Sequence, residues 1–317
     1  MPSVIEAEPL DLDLSPELRF LPEGPYAVAA GRFSWVGIQH GADATTGSVN
    51  RCDLASGVNE SFTLPGRPGF AFPCQSDDRF IVGCERELGF FDVGTGDWEP
   101  FCRDVDADVT NTIINDGIFI GDDILFGTKD LEFATKKAGL YFFDASEHRL
   151  VRLRDDQICS NGKAILDRNG DVFLIDIDSP TRQVVRYRID LKNASIGESE
   201  VVLDLTDDPA VPDGAILTPD GKSIIVSMFL PQAHAFGETR QYDLASGACQ
   251  IVWRTPLSPQ NTCPALVPFD SRLKLIVTTA VENMSAEGQA ICTNAGKLFI
   301  ADTDFPADSL SLLRYPK

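Results

Sequence analysis

Glu23, Asn115, Asn161 and Asp213 each stand about ten residues ahead of a short apolar run that recurs along the chain. The same offset from the two remaining runs reaches Phe70 and Cys263. If the repeats surround one axis, residues at a shared offset lie on one ring, and two carboxylates and two amides converge there. Burying such oxygens is costly unless positive charge sits among them. A divalent cation is the simplest occupant. Carboxylate and amide oxygens suit the hard ions, Ca²⁺ first, then Mg²⁺ and Mn²⁺, with Zn²⁺ less favoured where neither His nor Cys joins the set. Read singly, Asn115-Asp116-Gly117, Asn161-Gly162 and Asp213-Gly214 are turn formers. Their common offset is what points to a site.

A cation held there would polarise a substrate carbonyl and acidify water, which suits hydrolysis of an ester or lactone without a covalent intermediate. Asp213, directly or through a water, is the expected general base, and Asn115 the group that orients the oxyanion. Other hydrolytic schemes lack their parts. No GxSxG elbow is present, and none of the three histidines (His40, His148, His234) falls at the ring offset. No cysteine has an evident His partner, and no Gly-rich phosphate loop occurs.

The elements that would position this ring are legible as a repeat. A polar turn and an apolar run recur at Arg32–Val36, Arg79–Val82, Asp123–Phe126, Asp171–Ile175, Ser223–Val226 and Leu273–Val277. Each is followed by a strand-like segment ending in Asp: Asp53, Asp92, Asp144, Asp190, Asp243 and Asp302. A paired unit repeated at this near-constant spacing predicts an all-β, six-bladed β-propeller. The expected organisation is an N-terminal extension, 1–20, followed by one propeller domain, 21–317, with part of the extension helping to close the ring.

These residues also resemble the senescence marker protein / gluconolactonase / luciferin-regenerating enzyme family of six-bladed propellers. The resemblance rests, in family order, on Glu23-Gly24-Pro25, Asn115-Asp116-Gly117, Phe126-Gly127-Thr128 with Glu132 and Gly139-Leu140-Tyr141, Ser160-Asn161-Gly162, Asp178-Ser179 and Pro212-Asp213-Gly214. It implies that Glu23, Asn161 and Asp213 are the metal ligands, and that Asn115 and Glu132 face substrate. This chain departs from the pattern in places. Ile113 stands where an arginine is common, Lys129 follows the Gly-Thr pair in place of methionine, Gly37 replaces an aspartate, and the usual tryptophan is missing from the stretch after Asp213. Lys129 is expected to enter the substrate site as a replacement cation, and the substrate to differ from a typical aldonolactone.

The bulk composition sets limits. With 48 acidic against 27 basic residues the net charge is −21, which excludes the clustered basic surface that nucleic acid needs. No stretch is apolar enough to span a bilayer, and the acidic start MPSVIEAEPLDLDL lacks the features of a secretory signal. A cytoplasmic protein beginning at Met1 is expected, monomeric or a small homo-oligomer, with eight widely spaced cysteines as buried free thiols. Two functions fit. The first is a metal-dependent hydrolase of a small lactone. The alternative is a metal-containing propeller with a non-hydrolytic activity, such as epimerisation or cyclisation, or a ligand- or protein-binding role.

Overall fold

The computed structural model describes residues 1–168 and 170–317. The recurring apolar runs are the second strands of six sheets: Arg32–Gly37, Arg79–Cys84, Asp123–Asp130, Asp171–Asp178, Ser223–Phe229 and Arg272–Thr279. Each lies between an inner strand and a third strand in antiparallel pairing, and the six sheets are arranged as a β-propeller. The second strands are apolar on both faces because neighbouring blades cover both. In Asp123–Asp130 and Ser223–Phe229 every residue but one is buried.

The aspartates that close the third strands hold the turn to the outermost strand. Oδ1 of Asp53 accepts the amides of Ala55 and Ser56, and Asp92, Asp144 and Asp243 accept the equivalent pairs. A side chain thereby replaces a backbone partner, which is why the signature repeats. Asp302 breaks the rule. It lies inside Phe299–Pro306 and pairs with Lys274 on the adjacent strand. The sixth blade has no hairpin beyond that strand and so no turn to hold. Its outermost strand is Glu8–Pro9, while Ser3–Glu6 adds in parallel to Cys249–Pro256 of the fifth blade. The first residues of the chain thus join the last ones, closing the ring.

Each inner strand loses register near its start, between Glu23 and Tyr26, Pro68 and Phe70, Ile114 and Asp116, Asn161 and Ala164, Pro212 and Ala215, and Asn261 and Pro264. A bulge of this kind bends the strand and re-aims its side chains. The Asn-Asp-Gly, Asn-Gly and Asp-Gly motifs are therefore not turns between strands. They are irregularities inside Thr112–Ile120, Ser160–Arg168 and Val211–Leu217. Gly24 and Gly162 take φ of +50° and +57°, where a Cβ would be strained.

At the opposite end of the inner strands, Tyr26, Phe72 and Phe119 pack edge to face, with ring centroids 5.1 and 5.2 Å apart. The C-terminal segment covers this end. Tyr315 is 1% exposed, donates its amide to Pro73 O (2.8 Å) and its hydroxyl to Asp122 O (2.7 Å). Arg314 pairs with Asp77 at 2.8 Å. All eight cysteines are free and seven are buried, Cys249 being half-buried.

Candidate functional site

The bulges of the first, third, fourth and fifth inner strands open on one cavity of about 250 Å³, lined by Glu23, Asn115, Asn161 and Asp213 together. The other two ring positions do not reach it. Phe70 stacks on Phe72 (centroids 5.1 Å apart) in the core, and the Cys263 thiol lies against Gly214, where a Cβ would meet it at 2.5 Å.

The amides form a fixed chain between blades. Asn115 Nδ2 donates to Asn161 Oδ1 at 2.6 Å and to Ser160 O at 3.0 Å, and Asn161 Nδ2 donates to Ser179 Oγ at 2.9 Å. Both N–H groups of Asn115 are committed, so the oxyanion role expected of it has no donor left to supply. Asn115 instead fixes the direction of the Asn161 oxygen, which keeps a second lone pair. Asp116 reinforces the same bulge by accepting the Lys163 amide at 3.4 Å alongside that of Gly117 at 2.6 Å. Lys163 itself is fully buried with Asp176, at 3.2 Å.

Burial pushes the Glu23 carboxyl up to about 8; the charge of Asp116 adds to this, while the Gly24 amide and Lys129 work against it. Burial also raises Asp213 well above the carboxylate range, with Glu23 as the next contributor and Lys129 opposing. Glu23 and Asp213 oppose each other's ionisation, with Glu282 adding to the effect, and a cation held between them would relieve it. The donors fit such a cation: two carboxylates and an amide oxygen, all hard, open on the same space. Among the described residues no three His, Cys, Asp or Glu side chains cluster as ligands, so an all-protein shell of that kind is not built here. Water or substrate oxygens would complete the coordination.

Lys129 lines the cavity as well, 5% exposed, with its Nζ 6.0 Å from the centre of the Phe133 ring. Among the described residues it has no carboxylate within 4.0 Å. It is also the direct cross-strand partner of Ile113, so the cation enters one strand away from the position where the arginine was expected. Glu132 is not in the cavity. Its side chain is 63% exposed and lies 3.6 Å from Lys137. The buried carboxylate of Asp130 dictates this local path by accepting the amides of Glu132, Ala134 and Thr135 and pairing with Lys137 at 3.0 Å. Burial opposes the charge of Asp130, but the Thr135 and Glu132 amides and Lys137 outweigh it and hold its pKa below the usual carboxylate range.

A test follows from that balance. A depressed folded value means stability that is present above the unfolded pKa, near 3.9, and lost as pH falls below it. Asp130→Asn should cost roughly 1–3 kcal/mol at pH 7 through unpaired loop amides. Urea unfolding should show this deficit shrinking from pH 5 towards pH 2, and a deficit that stays constant would mean the carboxylate charge does not hold the loop.

The sequence model of the family described as "SMP-30/Gluconolactonase/LRE-like region" matches residues 21–281. The chain belongs to this family. A "Putative sugar lactone lactonase YvrE" of Bacillus subtilis is 27% identical over 188 residues, 56% of this chain and 57% of that protein. An uncharacterised Sulfolobus acidocaldarius protein is 35% identical over 96 residues, 30% of this chain and 34% of that one. The matches thus span about a third to just over half of these relatives. Regucalcin from Agrobacterium tumefaciens, described as a calcium-binding protein, has the same fold with a TM-score of 0.81, 21% identity and full coverage of both chains. A luciferin-regenerating enzyme gives 0.78 at 17% identity, covering 94% and 95%.

Phe133, Phe229, Pro231 and Glu282 also line the site and were not anticipated as parts of it, nor was the Asp116 charge that acts on Glu23 and Asp213. Asp116 had a sequence signal, since a bulge at Asn115 brings its neighbour towards the same axis. Glu282 had none. It comes from the connection between Arg272–Thr279 and Phe299–Pro306, longer than its counterparts in the other blades and outside the apolar-run pattern. No histidine lines the cavity among the described residues: His40 meets Ser48 Oγ at 2.9 Å, and His148 and His234 meet backbone carbonyls. Among the described residues no helix is long and apolar enough to cross a membrane.

Proposed function

We propose that this family member is a hydrolase of a small lactone or related ester, and that Glu23, Asn161 and Asp213 hold one divalent cation, Ca²⁺ before Mg²⁺, Mn²⁺ or Zn²⁺. The supporting observation is the meeting of two raised carboxyls and one oriented amide oxygen in a single cavity beside an unpaired ammonium. When bound, the cation supplies Lewis acidity towards the substrate carbonyl.

The remaining work falls to side chains. Asp213 is the base: its carboxyl opens on the cavity, and burial, with the charge of Glu23 next, raises its affinity for a proton. It takes a proton from the attacking water as the new C–O bond forms, and returns it to the ring oxygen as the lactone C–O bond breaks. Lys129 Nζ, free of a protein partner, donates to the carbonyl oxygen as its charge grows. Asn115 positions Asn161. Glu132, outside the cavity, is assigned only to substrate groups that project from the mouth.

The second reading is a propeller that holds the cation and binds a small molecule without hydrolysing it. The commitment of both Asn115 N–H groups favours it, since one expected oxyanion donor is lost. Proton release from a panel of lactones, followed in a pH-stat before and after chelation and remetallation, separates the two. Turnover that disappears with chelator and returns with one divalent ion supports the hydrolase. Stoichiometric cation binding with no turnover on any lactone leaves the binding protein.

A further inference from the structure

We infer that the molecule this cavity takes carries a hydrocarbon substituent on the ring that holds its reacting carbonyl, and that a polyhydroxylated sugar lactone is a poor fit. The inference rests on the lactonase reading for the reaction, but on different observations for the substituent.

Above the polar floor the walls are Leu21, Ile38, Val211, Phe229, Pro231 and Phe133. Leu21 and Ile38 are also members of the interior cluster that includes Val36, Val49 and Val82, at 4% and 1% exposure, so this wall is rigid and cannot turn a polar group inward. Of the polar side chains at the floor, the amides of Asn115 and Asn161 are spent within the protein, Asn115 donating to Asn161 and Asn161 to Ser179. Sugar hydroxyls brought against the six apolar side chains of the walls would leave water without a partner, and each unpaired one would weaken binding.

Ile113 adds no polar group to this wall. It is 1% exposed and packs in the same cluster as Leu21 and Ile38, so it backs the apolar wall. At the mouth, Phe133 is 47% exposed while its backbone sits at φ +51°, a conformation that L residues rarely adopt. Little burial offsets that strain, and the Asp130 cage imposes it. A strained, exposed aromatic at the entrance of an apolar cavity is placed to cover an apolar ligand. The volume, about 250 Å³, lies just under the range of about 300–1,000 Å³ usual for drug-sized ligands and so points to a small one.

The test separates binding from turnover. Lactams resist hydrolysis, so calorimetry of 2-pyrrolidinone and its 5-alkyl derivatives, from methyl to hexyl, on the Ca²⁺-loaded protein reads the walls alone. Affinity should rise about fourfold per methylene until the cavity is full, and glucono-δ-lactam should bind at least tenfold more weakly than the butyl compound. Phe133→Ser, on an exposed loop, should flatten the slope without unfolding the protein. A flat series in the wild type, or tighter binding of the polyol, overturns the inference. Turnover is then measured on the matching lactones. Retention of the lactam slope with no turnover rejects the lactonase reading alone; turnover of sugar lactones with a flat slope rejects the hydrocarbon preference alone.

Discussion

Asp213→Ala should lower kcat/KM on any lactone the protein turns over by about 10²–10⁴-fold, the span expected when a general base is lost, and should abolish stoichiometric cation binding in calorimetry. Asp213→Asn divides the two duties. An amide keeps an oxygen for the cation but cannot take a proton. Its cation affinity should therefore fall and be recoverable with excess ion, while its rate stays low at saturation. Recovery of the rate with excess ion would show that Asp213 is only a ligand and that the base lies elsewhere. Misfolding is not expected to confuse the result. A carboxyl whose folded pKa is raised subtracts stability as pH climbs above its unfolded value, and burial with Glu23 nearby raises this one. The cation-free Asn variant should melt no lower than wild type at pH 8.

Lys129→Met should have the second-largest effect, a fall in kcat/KM of about 10²–10³-fold, the cost of one oxyanion donor. The informative part is the direction in which cation affinity moves. The ammonium pulls the pKa values of Glu23 and Asp213 down, as a neighbouring positive charge does, and it repels a divalent ion for the same reason. Removing it leaves all three proposed ligands in place and should tighten cation binding while slowing hydrolysis. Calorimetry and initial rates on the same preparation decide the matter. Parallel loss of affinity and rate would mean that Lys129 supports the cation site structurally, and an unchanged rate would remove it from the reaction.

Much of the fold was readable because a propeller writes one unit six times. Second strands covered on both faces must be continuously apolar, and third strands that turn into an exposed hairpin must end on a side chain that holds the turn, so Asp53, Asp92, Asp144 and Asp243 mark their own positions. Glu23, Asn115, Asn161 and Asp213 were legible for the same reason. They share an offset from the second strand, and in a closed ring a shared offset becomes a shared location.

What the repeat could not convey is whatever differs between blades. That the motif glycines lie in bulges inside strands follows from register against a partner strand, which no local pattern encodes. The commitment of the Asn115 amide depends on an atom in the next blade, 46 positions away. Glu132 kept the expected spacing but lost the expected place, because Asp130 gathers the loop amides and leaves Glu132 exposed beside Lys137. Glu282 belongs to the connection between the second and third strands of the last blade, whose length and course the strand pattern does not encode. Periodicity and closure made the propeller, and the four oxygen-bearing positions that share one cavity, readable from the residues alone. Which polar atoms remain free in that cavity, and that its walls are apolar, depend on side chains meeting across blades, and no pattern along the chain encodes those meetings.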